Sequence, residues 1–172
     1  RELVKVGGGQ IVIPGKGGSP ADGRLMLTTA QHKNYEVSVM VKVVGKGLAG
    51  LLLYYSELGY TGVATDGAKF YVYNDGKVVR TLRNQFGRQV KMRIHNRANK
   101  VTISAGSDGK TWTVLAEDLD VKDLNHKKLK KFFALRPALF SAGKGSAVFS
   151  GFKYRDAVPQ EKDMAAYLMV YH

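Results

Sequence analysis

The chain has no cysteine, which excludes a disulfide framework and any thiolate chemistry. It has no apolar run near the roughly 20 residues a membrane-crossing helix needs, and no membrane partner is expected. It has no recognisable leader. The opening R-E-L-V-K-V already reads as strand, so the chain looks like an interior piece of a longer product. There is no G-x-x-x-x-G-K-[ST], and Gly7-Gly8-Gly9 does not open a helix, so no nucleotide site is indicated. His32, His95, His126 and His172 are scattered, with no metal-ligand spacing and no H-E-x-x-H. Asp66, Asp75, Asp108 and Asp118 sit in turn sequences. They leave room for a structural calcium on loop oxygens, although no EF-hand loop is present. No other cofactor is expected.

Acidic residues are also scarce, 14 against 27 basic ones, for a net charge of +13. Such a charge attracts polyanions, membrane surfaces or nucleic acid, or merely keeps the protein soluble. Charge says nothing of specificity, and nucleic acid is not the expected partner. The shortage of carboxylates bears on catalysis. A sandwich glycosidase needs two facing each other across a groove, and neither Glu36 nor Glu57 has a partner on its own strand. No G-x-S-x-G elbow occurs. A lyase would want clustered Arg, His and Tyr, and Arg93 and His95 with Tyr60 or Tyr73 do not follow a lyase order. A segment without catalytic activity is expected.

What is present is strand. In Y-E-V-S-V-M-V-K-V (35–43), Tyr35, Val37, Val39, Val41 and Val43 share one face, with Glu36, Ser38 and Lys42 on the other. Further strand segments are 10–13, 24–28, 49–56, 60–65, 69–74, 77–83, 88–95, 99–105, 111–116, 134–140 and 146–154. Turn signals such as Asp66-Gly67, Asn74-Asp75-Gly76, Ser107-Asp108-Gly109 and Gly143-Lys144-Gly145 separate many of them. Short strands about ten residues apart, in a chain of 172 residues, predict one all-β, two-sheet antiparallel jelly-roll sandwich. Only 121–133 (V-K-D-L-N-H-K-K-L-K-K-F-F) breaks the pattern, reading as a helical turn or a long loop.

Two stretches carry binding chemistry. In 88–95 and 99–105, Val90, Met92, Ile94, Val101, Ile103 and Ala105 form a core face. Lys91, Arg93, His95, Lys100, Thr102 and Ser104 form the opposite one. That face offers donors for sugar hydroxyls or carboxylates, or is the ordinary solvated side of a sheet. In L-A-G-L-L-L-Y-Y-S-E-L-G-Y-T-G-V (48–63), a dense apolar strand ends in Tyr54 and Tyr55, and a second opens at Tyr60. Aromatic rings at a sheet end, beside glycines, suit stacking on a sugar ring. Tyr54 and Tyr55 are adjacent and must point to opposite faces, but the apolar run before them hides which points inward.

The order of A-G-L-L-L-Y-Y-S-E-L-G-Y-T-G-V (49–63), K-M-R-I-H-N (91–96), S-D-G-K-T-W (107–112), R-P-A-L-F-S-A-G-K-G (136–145) and A-V-F-S-G-F-K-Y (147–154) resembles the concanavalin A-like sandwich attached to family 43 glycoside hydrolases, which are β-xylosidases and α-arabinofuranosidases. The resemblance spans about residues 20–156. It implies a non-catalytic accessory module, 1–155, of a secreted, periplasmic or cell-surface bacterial enzyme, with a catalytic glycosidase domain in the same chain and plant cell-wall polysaccharide as partner. A-A-Y-L-M-V-Y-H (165–172) looks like the first strand of that family's catalytic propeller, with 156–164 as linker; the other reading of 165–172 is one more sandwich strand. Carried over by residue, Tyr54, Tyr55 and Tyr60 fall in the family's A-G-L-x-L-Y-Y segment, and Arg136 lies in the strand before the last hairpin. With Arg93 and His95 they are the expected ligand-binding residues, on one open sheet face or its rim. Trp112, in the D-G-x-x-W hairpin, is expected in the core. Lys127, Lys128, Lys130 and Lys131 depart from the family pattern and point to acidic or wall-associated polysaccharide. The competing functions are a structural domain packed on a propeller and a basic polyanion-binding module.

Overall fold

A computed structural model describes residues 4–28, 34–121 and 135–156. Among them are thirteen strands and no helix: β1 (Lys5–Gly7), β2 (Gln10–Pro14), β3 (Arg24–Leu27), β4 (Asn34–Val44), β5 (Gly47–Ser56), β6 (Gly59–Thr65), β7 (Lys69–Asn74), β8 (Lys77–Arg83), β9 (Gln89–Arg97), β10 (Lys100–Gly106), β11 (Thr113–Asp120), β12 (Arg136–Gly143) and β13 (Ser146–Asp156). They form a seven-stranded sheet, β1-β2-β13-β4-β9-β10-β11, and a six-stranded sheet, β3-β12-β5-β6-β7-β8. Every pairing is antiparallel. The two-sheet sandwich is the one expected. The segment 122–133, Lys127, Lys128, Lys130 and Lys131, the 156–164 linker beyond Asp156, the 165–172 segment and His32, His126 and His172 lie outside the described residues.

Alternation explains the layers. On β4, Tyr35, Val37, Val39, Val41 and Val43 are all buried, and so are Val90, Met92 and Ile94 of β9 and Val101, Ile103 and Ala105 of β10. From the other sheet, Ala49, Leu51, Leu53, Val63, Phe70, Val72 and Leu139 complete the same cluster. Tyr35 and Tyr154 stack inside it with centroids 5.1 Å apart. At 20–33 cal/mol per Å² of apolar surface removed from water, this shared layer is the main stabilising term.

Short local features close the hairpins. Asp75 and Gly76 both take positive φ, 52° and 75°, in the two-residue turn that sets Asn74 opposite Lys77. Gly50 is required for another reason. A Cβ there would run into the Val63 carbonyl of β6, so β5 and β6 approach closely only because that side chain is absent. Inside, Asn84 donates to Thr65 Oγ1 (2.7 Å) and Gly87 O (2.8 Å) and accepts from the N–H of Phe86 and Gly87. A buried amide with every group satisfied pins the β8–β9 connection.

Several strands start or end one or two residues from their expected bounds, and two shift further. β11 runs 113–120 rather than 111–116, because Asp108 accepts from the N–H of Lys110 and Thr111 and holds the turn up to Trp112. β12 runs 136–143 rather than 134–140, kept in register by β5 to the pair Gly143–Gly47.

Candidate functional site

β5 decides what the six-stranded sheet shows to solvent. Ala49, Leu51, Leu53 and Tyr55 face the inter-sheet core, so Leu48, Gly50, Leu52 and Tyr54 face out. The outer face carries an apolar cluster of its own: Leu52, Tyr60, Ala64, Tyr73, Ala138 and Phe140, with Tyr54 and Tyr71 packed against it. Gly50, Ala64 and Ala138 give a floor of small residues, and tyrosines from β5, β6 and β7 stand over it. Tyr54 stacks on Tyr60 at 6.4 Å and 10°, and Tyr60 meets Tyr73 at 5.5 Å and 58°.

A groove of about 590 Å³ is lined by Tyr60, Tyr71, Tyr73, Glu57 and Asp66, with Ser19 from the loop before β3; Tyr54, stacked on Tyr60, adjoins it without entering its lining. None of its lining residues is Lys or Arg. Asp66 Oδ1 accepts from the N–H of Ala68 (2.8 Å) and Lys69 (2.9 Å), and the Tyr71 hydroxyl donates to Oδ2 at 3.1 Å. Partial burial would raise the Asp66 carboxyl, but these donors outweigh it and hold it below the usual carboxylate range. Burial first, then the neighbouring Asp66 carboxylate, raises the Tyr71 phenol, which therefore stays protonated. The groove thus presents aromatic edges, a phenol and fixed carboxylate oxygens, a set suited to hydroxyl-rich ligands. Held low, the Asp66 carboxyl is not a general acid of the kind glycoside hydrolysis uses.

The outer face of the seven-stranded sheet is of opposite character. Cross-strand rows place Arg155–Glu36–His95–Thr102 side by side, and Lys153–Ser38–Arg93–Ser104 next to them. Arg155 Nη2 pairs with Glu36 Oε2 at 2.9 Å, and the Arg93 guanidinium lies over the Trp112 indole, 4.2 Å from its centroid. Trp112 is therefore on this surface and not in the core as expected, since the turn at Asp108 carries it over β9. Burial is the first cause that lowers His95; Glu36 opposes it, and Arg97, Arg93 and Arg155 reinforce it.

The expected ligand-binding residues do not share one face. Tyr54 and Tyr60 meet on the six-stranded sheet, with Arg136 paired opposite Tyr54 in register. Tyr55 packs on the inter-sheet core. Arg93 and His95 belong to the other sheet. The separation arises because 49–63 and 88–95, though only some thirty residues apart, are sorted into different layers by the chain between them. Tyr60 and Tyr73 are only 3% and 4% exposed, so they support the groove, whereas Tyr54 and Tyr71 are half-buried and keep ring surface available. Tyr71, Glu57 and Asp66 were not among the expected site residues. The signal for Tyr71 was the alternation of K-F-Y-V-Y-N, where burying Phe70 and Val72 turns Tyr71 and Tyr73 outward. Among the described residues no group of three or more His, Asp or Glu is placed to hold a metal ion.

The second strand and the last neighbour each other at β2–β13, with β1 at the sheet edge beyond, and candidate binding surfaces lie on both outer faces. This is the concanavalin A-like sandwich. No family model matches the chain, and no curated protein does. Solved structures do. The GH43 protein BlXynB of Bacillus licheniformis matches with a TM-score of 0.71 at 16% identity, over 86% of this chain and 33% of its own. The xylan β-1,4-xylosidase of Bacillus halodurans matches with a TM-score of 0.67 at 14% identity, over the same shares of 86% and 33%. The carbohydrate-binding module CBM66 of Bacillus subtilis matches with a TM-score of 0.52 at 12% identity, over 86% of this chain and 96% of its own. The chain thus spans a third of the length of the GH43 proteins it matches. At these identities the likeness is one of fold: the sandwich is the kind found as one part of GH43 proteins and, alone, as a carbohydrate-binding module.

Proposed function

We propose that this chain is a non-catalytic carbohydrate-binding module of a bacterial glycoside hydrolase acting on plant polysaccharide of the xylan, arabinoxylan or arabinan type. The observation that carries the reading is the tyrosine groove on the six-stranded sheet, free of lysine and arginine in a chain of net charge +13. A neutral glycan stacks on Tyr54 and Tyr71, and its hydroxyls donate to Glu57 and Asp66. The module would act by raising the substrate's effective concentration at a catalytic domain in the same chain, outside the cytoplasm in a secreted, periplasmic or surface-held enzyme. The fold likeness to part of the GH43 proteins supports that parentage.

The test is affinity electrophoresis and calorimetry of the chain on xylan, arabinoxylan and arabinan, beside a hydrolysis assay. Binding without sugar release is expected; release that is lost in Glu57→Gln would overturn the non-catalytic reading. A structural role against a catalytic domain has one observation in its favour, the burial of Tyr60 and Tyr73. Absence of binding to every plant glycan would decide for it.

A further inference from the structure

The outer face of the seven-stranded sheet holds a separate pocket of about 160 Å³, whose cations are Lys91, Arg93, Lys153 and Arg155 and whose one carboxylate is Glu36. Arg155 is occupied by Glu36. Among the described residues Lys91 and Lys153 have no ion-pair partner, and Arg93 makes no side-chain hydrogen bond. Its guanidinium is instead held over the Trp112 ring, 4.2 Å from the centroid, a contact that uses the cation's charge and none of its N–H donors. Lys91 Nζ lies over the backbone turn at Gly109, 2.8 Å from where a Cβ would sit, so the D-G-K-T-W hairpin walls the pocket on that side.

Unpaired cations in a concave, mainly polar pocket call for an anion. Two further features narrow its chemistry. Glu36, only 17% exposed in its side chain and held by Arg155 at 2.9 Å, is a fixed acceptor beside the cations, which favours an anion that also carries a hydroxyl to donate over one that does not. Ser38, between Lys153 and Arg93 in register, is another hydroxyl partner. The site is also a pocket bounded by one hairpin, not a track that follows a charged backbone for many repeats.

We propose that this pocket is a second binding subsite, specific for a uronic acid residue of a polysaccharide, its carboxylate held by Arg93 with Lys91 and Lys153 and its hydroxyls by Glu36 and Ser38. It is independent of the tyrosine groove, which lies on the other sheet.

The test is titration of the ¹⁵N-labelled chain with sodium D-glucuronate, and in parallel with D-glucose at matched sodium chloride. Glucuronate should shift amides at 36–38, 91–93, 109–112 and 153–155 with millimolar affinity, the range natural to one small sugar, while glucose leaves them unmoved. Lys91→Ala with Lys153→Ala should weaken glucuronate at least tenfold without changing the circular dichroism spectrum, since neither lysine holds an ion-pair partner among the described residues. Arg93→Lys, a milder change, should weaken it as well by losing the planar fork. Tyr71→Ala should leave glucuronate binding intact whatever it does to neutral glycan, so failure here and failure of the groove are told apart. Absence of shifts overturns the proposal, as do shifts confined to the tyrosine groove or unchanged affinity in the lysine variant. A heparin fragment or DNA that shifts these amides when glucuronate does not would overturn it in favour of non-selective polyanion binding.

Discussion

The rings of Tyr54 and Tyr60 lie 6.4 Å apart and 10° from parallel on the outer face of the six-stranded sheet, while Tyr55, the next residue after Tyr54, packs into the opposite side of the same sheet. One dipeptide therefore serves both surfaces. Tyr54→Ala should reduce affinity for a bound neutral glycan by about 1–3 kcal/mol, as for an aromatic anchor, with little change in melting temperature. Tyr55→Ala should leave the binding surface alone and destabilise the fold by about 2 kcal/mol, below the value for a fully buried ring because Tyr55 is half-buried. Calorimetry and thermal denaturation of both variants check the asymmetry.

Salt separates the two outer faces. Binding in the tyrosine groove joins an uncharged glycan to rings and to carboxylate acceptors, with no charge pair to screen, so it should change little between about 0.1 and 1 M sodium chloride, where the screening length falls from about 10 to 3 Å. Loss of xylan or arabinoxylan binding over that range would show that the glycan is held by charge instead.

Acid should loosen the wall of the groove. The Asp66 carboxyl is held below its ordinary 3.8, so the fold favours its ionised form. The stabilisation is present above about pH 4 and is lost as pH falls through the lower folded-state value. Asp66→Asn should be less stable than the parent at neutral pH and should lose less on going from about pH 5 to pH 2. Melting curves across that interval measure the difference in slope.

Asn84 is 6% exposed and makes four hydrogen bonds between β8 and β9. Asn84→Ala strips partners from the Phe86 and Gly87 amides and takes a donor from the Gly87 carbonyl, while Thr65 Oγ1 keeps the Gly67 N–H. A loss of about 2–4 kcal/mol in urea denaturation is expected, from unsatisfied buried groups at 1–3 kcal/mol each with partial access of water, and no change in glycan affinity at fixed folded fraction.

Gly50→Ala should destabilise by about 3 kcal/mol, because the added methyl meets the Val63 carbonyl, which is backbone and has little freedom to yield. Gly87→Ala meets nothing within 4 Å but sits at φ 79°, so its loss should be the smaller strain of an L residue in the left-handed region, about 1 kcal/mol. Chemical denaturation of the pair ranks the two effects.

Local alternation was enough to read most strands and, where one side of a strand is apolar and the other polar, their faces. β4, β9 and β10 are such strands, and the alternate residues Tyr35, Val37, Val39, Val41 and Val43, Val90, Met92 and Ile94, and Val101, Ile103 and Ala105 all turned inward as their alternation requires. The same rule was silent for β5. L-L-L-Y-Y is apolar on both sides because each side enters a cluster, the inter-sheet core through Leu51, Leu53 and Tyr55 and the outer one through Leu52 and Tyr54. Nothing local says which is which. Tertiary structure alone decided that Arg93 and His95 part from the tyrosines, that Glu57 and Asp66 border the groove, and that Trp112 lies under Arg93. Each depends on which strands become neighbours, and such pairings join residues as distant as Thr28 and Pro137. Alternation is a property of a few consecutive residues; membership of a sheet is set by the free energy of closing the whole core, to which every strand contributes at once.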